Sequence, residues 1–419
     1  MTKKLGRSVA IVGAGMSKFG AFPEKSSRDL FVEAFGAMRG AVDKGFDPET
    51  IEALYVGNFS SDLFEGQGHI APIVADWVGL TPRPATRVEG ACASGGCALR
   101  QGVIGIASGL YDVVLVGGVE KMTDLPIEGV TDTLAAAADA LYEIPAGYTF
   151  PGLYATMATA YMARYGATPE TLMRVGLKAH ENGALNDKAH FGTRIADVMA
   201  RKRARAEEKG RPIPDWADEM AFLHDDGANP VIAWPLRLFD CSPVSDGAAA
   251  VLLVAEERAK AFTDDPIHII GSGQASGTAI HDRPDLTSIG SARVAGRQAF
   301  EMAGITPADV KLAEVHDCFT IAEIIASEDL GIFRPGEGYR AAEEGLTARD
   351  GPHPINSSGG LKAKGHPVGA SGVGQVIEIW EQLRGSAGAR QVTGNLNLAL
   401  THNVGATGQT SVVHIYERS

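Results

Sequence analysis

Residues 111–120 (YDVVLVGGVE) make a continuous apolar run bounded by glycine. A strand that is apolar on both alternating faces must be covered from both sides, as strands inside layered α/β sheets are. The segments before it agree. Residues 8–15 and 51–58 read as strands. Residues 27–44 carry apolar positions at helical spacing with Ser27 as N-cap, and 70–80 reads as a second apolar helix. A further helix runs from the turn around Cys92 to about residue 108. The order β, α, β, α, turn, α, β predicts a layered α/β sheet. Gly13-Ala14-Gly15 resembles the start of a dinucleotide-binding loop, but the third glycine of that fingerprint is missing, so 8–15 is read as the first core strand.

The pattern changes over 121–234, where alanine-rich and polar stretches alternate with proline and glycine, and this region is read as an inserted loop domain. Within it, 168–184 predicts an amphipathic helix with Thr168 as N-cap and Pro169 in its first turn. The basic run 201–205 (RKRAR) is read as a solvated helix face, with an anion site for cofactor phosphates as the alternative. The sheet pattern returns at 240–257 and 267–270. A helix over 291–303, a strand over 311–315, a helix over 372–383 and two closing strands over 392–402 and 410–416 follow. Gly90-Ala91-Cys92-Ala93-Ser94-Gly95 and Gly365-His366-Pro367-Val368-Gly369-Ala370-Ser371-Gly372 head helices at equivalent places, which points to a duplicated α/β unit. The expected division is 1–120 with 235–258 as the first half, 121–234 as the insert and 259–419 as the second half.

Composition excludes several classes. A net charge of -13 argues against a general nucleic-acid binder. Four cysteines in 419 residues make no disulfide framework, and none has zinc-ligand spacing, so no metal is expected. No run of eighteen apolar residues predicts a membrane span, and neither the basic start Met1-Thr2-Lys3-Lys4 nor the end Glu417-Arg418-Ser419 reads as a targeting signal; the expected location is the cytoplasm.

Chemistry concentrates at Cys92. Small neighbours let backbone and substrate approach its sulfur, and a helix N-terminus would lower the thiol pKa from about 8.5. Taken alone, a buried structural cysteine fits as well. Three companions decide otherwise: His316-Asp317-Cys318-Phe319, the stretch 356–372 (NSSGGLKAKGHPVGASG) and His402-Asn403-Val404-Gly405.

Together these four motifs, in this order, resemble the thiolase family over nearly the whole chain, and its sterol-carrier-protein-2-type and archaeal or bacterial branch in particular. The resemblance implies a duplicated fold layered α-β-α-β-α, with mixed five-stranded sheets. It implies acyl transfer through a Cys92 thioester, with His366 as the activating base. Most thiolases place a second cysteine, the base for the Cα proton, in a C-terminal C-x-G motif. Here Asn403-Val404-Gly405 stands there, and the branch with HDCF supplies that cysteine from its own motif, as Cys318. The resemblance further implies that His316 and His366 hold the enolate oxygen, that the N–H groups of Cys92 and Gly405 hold the acyl-enzyme oxygen, and that Ser358, Gly359 and Gly360 belong to the coenzyme A site. Coenzyme A and acyl-CoA enter as substrates, with no permanently bound cofactor. The expected partners are a second copy of the chain, as a homodimer or dimer of dimers, and a small subunit pairing a zinc ribbon with an OB-fold. Cys97 and Cys241 are read as packing, and His402 as loop support. A ketosynthase or hydroxymethylglutaryl-CoA-synthase-like enzyme would lack the counterpart of Cys318; a catalytically silent scaffold of the same fold is the remaining alternative.

Overall fold

The computed structural model describes residues 4–418; the calls on Met1, Thr2, Lys3 and Ser419 lie outside the described residues. The strands are β1 (Val9–Met16), β2 (Ala53–Gly57), β3 (Ala85–Val88), β4 (Val113–Glu120), β5 (Val231–Ala233), β6 (Leu236–Arg237), β7 (Gly247–Ala255), β8 (Ile267–Ser276), β9 (Leu312–Glu314), β10 (Leu398–Gly405) and β11 (Thr410–Arg418). Nine of them form one mixed sheet in the order β3-β2-β4-β7-β1-β8-β11-β10-β9.

The duplication is visible in this order. From β1 outward, the first half pairs antiparallel with β7, then antiparallel to β4, then parallel to β2 and β3. From β8 outward, the second half pairs antiparallel with β11, antiparallel to β10 and parallel to β9. The duplicated fold is the expected one, and its two mixed half-sheets are continuous. Antiparallel pairing of β1 with β8 joins the halves edge to edge, and in the second half the fifth strand is reduced to one parallel bridge from Ala313 to Ile355.

Helices Ser94–Ala107 and Val368–Leu383 form the central layer. Their apolar residues (Leu99, Val103, Val373, Ile377) share one core with Val251 and Leu253 of the first half-sheet and Leu312 and Ala399 of the second. The 368–383 helix is buried almost all round, which an element sandwiched between layers requires. Outside, Ser27–Gly40 and Ile70–Trp77 cover the first half-sheet, and Gly290–Ala303 with Thr320–Asp329 cover the second. Each fully buried Leu, Ile or Phe in these layers contributes about 1.5–3 kcal/mol.

Local signals mostly hold. The 27–40 helix is capped one residue earlier than expected. Ser26 accepts the Asp29 N–H while the Asp29 carboxylate accepts the Ser26 N–H, so the capping box begins at Ser26 and not at Ser27. Thr168 and Pro169 start their helix as read. Between β4 and β7 lie five helices and the β5–β6 hairpin, whose strands fall on either side of residue 234. The basic run lies on the helix Ile195–Glu208, where Lys202 donates to the Ala228 carbonyl and Arg203 to those of Pro214 and Trp216. Those cations brace the insert. Among the described residues no helix is long and apolar enough to cross a membrane.

Candidate active site

The two equivalent helices meet at their N-termini, and glycine makes the approach possible. A Cβ on Gly95 would come within 2.9 Å of the Gly369 carbonyl oxygen, and one on Gly372 within 2.4 Å of the Gly96 nitrogen. Cys92 and His366, each just ahead of its helix, therefore face one another across the duplication axis. Cys92 leaves β3 through a single tight turn, Ala91–Ala93, in which Ala91 adopts a left-handed φ of 51°. A non-glycine residue there costs about 1–2 kcal/mol, strain of the kind found where a side chain must be presented at a fixed angle.

Cys92 Sγ and one ring nitrogen each of His316 and His366 lie within 4.8 Å of one another. The imidazoles stand nearly perpendicular, 82° apart, with centroids separated by 5.1 Å. Their outer hydrogen bonds fix opposite tautomers. Ser371 Oγ donates to the Pro367 carbonyl at 2.8 Å, so at 2.6 Å from His366 Nδ1 it must accept, which leaves the proton on Nδ1 and the lone pair on Nε2. Asn403 Oδ1 accepts the Gly96 N–H at 3.1 Å, which orients the amide. Its Nδ2 then donates to the Cys92 carbonyl at 3.0 Å and to His316 Nδ1 at 3.1 Å, leaving His316 with its proton on Nε2. Both Nε2 atoms are buried without a protein partner. His366 thus offers a base and His316 a donor. Burial keeps both neutral: His366 is lowered to about 3, and His316 well below the usual imidazole range by burial and by its neighbours His366 and His402. The same tautomer argues against a metal on this Cys-His-His set, since the Nε2 of His316 carries a hydrogen where a ligand needs a lone pair.

The expectation of a thiolate at Cys92 is corrected. Burial pushes the thiol up to about 12 and outweighs the N–H of Ala406, which bonds the sulfur and works the other way. Cys318 is also pushed well above the usual thiol range by burial and by the nearby Cys92, against a hydrogen bond from Tyr154. Both sulfurs line a cavity of about 360 Å³, together with His366 and Ala406. Most of the rest of its wall is apolar, with Met122, Val130, Leu134, Phe150, Phe319 and Val368, and Thr131 and Ser242 add hydroxyls.

The other predicted residues fall as follows. Gly405 ends β10 so close to Gly90 that a Cβ would lie 2.1 Å from the Gly90 carbonyl oxygen. Ser358, Gly359 and Gly360 are buried and do not line the cavity. Ser358 bonds Glu314 through both its N–H and its hydroxyl, and a Cβ on Gly360 would lie 2.0 Å from Asp317 Oδ2. They belong to the buried turn that leads into His366. The segment 241–244 lies at the cavity, with Cys241 among its lining residues. Cys97 packs against Ala93 and Val412, and His402 is buried beside the site. Sequence reasoning missed Ser371, Asn403, Tyr154 and Glu120. The last is fully buried, accepts N–H bonds from Phe59, Ser60 and Gly369, and so ties the end of β4 to the start of the 368–383 helix. Only Asn403 left a signal, as the residue standing where a cysteine was due.

The family model for the thiolase N-terminal domain matches residues 9–257, and that for the thiolase C-terminal domain matches 272–418. The chain belongs to the thiolase family. It is 46% identical to an acetyl-CoA acetyltransferase of Methanothermobacter thermautotrophicus, over 98% of this thiolase and all of the relative. It is 32% identical to the benzoylsuccinyl-CoA thiolase subunit BbsB of Thauera aromatica, over 96% of each chain. Among solved structures the Ltp2-ChsH2(DUF35) aldolase superposes with a TM-score of 0.76 at 24% identity, over 98% of this chain and 97% of that one.

Proposed function

We propose that this thiolase is an acyl-CoA C-acyltransferase that cleaves 3-ketoacyl-CoA with coenzyme A, or condenses an acyl-CoA with acetyl-CoA, through an acyl group carried on Cys92. The observation that carries the reading is the pairing of two cysteines on one apolar cavity with a base-tautomer His366 and a donor-tautomer His316. The acetyl-CoA acetyltransferase relative, alike over its whole length, supports it.

In the first half-reaction Cys92 attacks the thioester carbonyl as His366 Nε2 takes its proton. The departing coenzyme A sulfur recovers that proton, leaving acyl-Cys92. Because the resting thiol is protonated, attack and proton transfer go together. The N–H groups of Cys92 and Gly405 hold the oxyanion. In the second half-reaction Cys318 gives its thiol proton to His366 Nε2 and, as a thiolate, removes a proton from the acetyl-CoA methyl group, while His316 Nε2–H holds the enolate oxygen. The enolate then attacks the acyl-Cys92 carbonyl and releases the Cys92 sulfur, which takes the proton back from His366; thiolysis runs the same steps backward. Coenzyme A enters only as substrate, and its thioester end reaches the sulfurs through the cavity.

We further propose a homodimer, or a dimer of such dimers, built on β3, the sheet's edge strand, which leads directly into the Cys92 turn. Light scattering that returned a monomer would rule this out. A small zinc-ribbon/OB-fold partner is proposed on the strength of the relative that is itself a thiolase subunit and of the DUF35 chain joined to the aldolase. A pull-down from the native host that recovered only this chain would count against it. Four unpaired thiols fit a reducing cytoplasm.

The deciding experiment is intact mass spectrometry after mixing with acetyl-CoA. An acetyl adduct on Cys92 that free coenzyme A removes is expected. In Cys318→Ala that adduct should persist while deuterium exchange of the acetyl-CoA methyl group falls by about 10²–10⁴-fold. Absence of any adduct with acetyl-CoA or acetoacetyl-CoA would favour a silent scaffold.

A further inference from the structure

The turn that presents Cys92 runs from Gly90 to Ala93, and three of its four amide N–H groups are taken. Ser94 Oγ accepts the Gly90 N–H at 3.0 Å, the Glu89 carboxylate accepts the Ala91 N–H, and the Gly90 carbonyl accepts the Ala93 N–H at 3.0 Å. Among the described residues no oxygen accepts the fourth, the Cys92 N–H. The carbonyl of that same peptide, on Ala91, is held twice, by the Ser94 hydroxyl at 2.6 Å and by the Ser94 N–H. Because its one hydrogen goes to Ala91, Ser94 Oγ can only accept from Gly90. Ser94 is fully buried and Glu89 is exposed.

A trans peptide is planar, with its C=O and N–H pointing opposite ways. Anchoring the Ala91 oxygen therefore fixes the direction of the Cys92 N–H, and a carbonyl that accepts hydrogen bonds polarises its own N–H into a better donor. Glu89 anchors the preceding peptide, so both planes flanking Ala91 are pinned at its left-handed φ of 51°. Gly405 packs against the carbonyl oxygen of that preceding peptide, which keeps the second N–H of the proposed oxyanion pair in register with the first. Behind Gly405, the Ala406 carbonyl accepts the Tyr154 hydroxyl at 3.0 Å, so this donor is also held from the insert. We propose that Ser94 and Glu89 are positioning residues for acyl transfer, which keep the Cys92 N–H unoccupied and aimed at the oxyanion. The inference rests on the acyl-transfer reading above. It adds no bond-making or proton-transfer step, since neither side chain lines the cavity.

The test uses the full chain and two reactions of Cys92, each mapped to its peptide by mass spectrometry. Acetylation by acetyl-CoA builds negative charge on a carbonyl oxygen, whereas alkylation by iodoacetamide displaces iodide at a methylene carbon and builds none there. In Ser94→Ala acetylation should slow by about 10- to 100-fold, short of the roughly 10²–10³-fold lost when an oxyanion donor is removed outright, while alkylation stays within about threefold of wild type. Glu89→Gln and Glu89→Leu both remove the charge at an exposed position, and only the glutamine keeps an acceptor for the Ala91 N–H. Glu89→Leu should acetylate about 3- to 10-fold more slowly than Glu89→Gln, with equal alkylation. Acetylation unchanged in Ser94→Ala or equal in the two Glu89 variants, or acetylation and alkylation lost in step in Ser94→Ala, overturns the inference. A wild-type protein that is alkylated at Cys92 but takes no acetyl group overturns the acyl-transfer reading instead.

Discussion

Ser371→Ala tests the proposed role of His366 as the base for Cys92. The hydroxyl sits 2.6 Å from His366 Nδ1 and hands its own proton to the Pro367 carbonyl, so it can only accept from the ring. Alanine leaves the Nδ1–H without a partner and frees the imidazole to take the other tautomer, whose Nε2 has no lone pair for Cys92. The bond strengthens as the ring becomes an imidazolium in the transition state, where a hydrogen bond to a charged group contributes about 1.5–3 kcal/mol. At 1.36 kcal/mol per decade this is a loss of about 10- to 150-fold in the acylation rate. Folding stability should fall by only about 1 kcal/mol, the net worth of one neutral hydrogen bond. The assay is rapid-quench mass spectrometry of acetyl-Cys92 formation from acetyl-CoA, with a thermal melt alongside. A folded Ser371→Ala protein that acetylates within about twofold of wild type would refute the tautomer argument.

Asn403→Cys restores a cysteine where most thiolases carry one, yet it should lower turnover. It removes donors to the Cys92 carbonyl and to His316 Nδ1, leaves the Gly96 N–H unpaired, and costs about 1–3 kcal/mol of stability; steady-state thiolysis and a urea melt read both, and increased turnover would sink the assignment. Alkaline conditions should destabilise the fold: burial pushes Cys92 and Cys97 up to about 12, so above about pH 8.5 the unfolded chain sheds protons that the native state retains. Stability then falls as pH rises, by up to about 1.4 kcal/mol per thiol per pH unit; urea midpoints at two alkaline pH values measure it, and Cys97→Ala should flatten the slope.

The helices and strands around the site were readable because their signals are local: apolar period, Thr168-Pro169 at a helix start, glycine at close approaches. Cys92, His316, Cys318 and His366 were readable because they sit in three short motifs, His316 and Cys318 sharing one; the fold brings Cys92, His316 and His366 within 4.8 Å of one another and sets Cys318 on the same cavity as Cys92 and His366. What stayed hidden depends on pairings between distant segments. Nothing near Glu120 says that it will bind Gly369, and nothing near Tyr154 says that it will meet Ala406. Nothing near Ser358 and Gly360 says that they will meet the buried carboxylates of Glu314 and Asp317. The Cys92 pKa was misjudged because a helix terminus is visible in sequence and depth of burial is not.

The meeting of the two central helices also sets how the molecule can breathe. The Gly96 and Gly369 amides, held by Asn403 and Glu120, sit where the halves cross, so neither can reach solvent unless the halves part. Their exchange with solvent deuterium should therefore proceed only through global unfolding, while the rim of the insert, where Ile127, Ile232 and Leu238 are exposed, opens at far smaller cost. Cys92 and His366 thus ride on the slowest-opening part of the protein, while Ile127, Ile232 and Leu238 give the cavity a wall from its most yielding part.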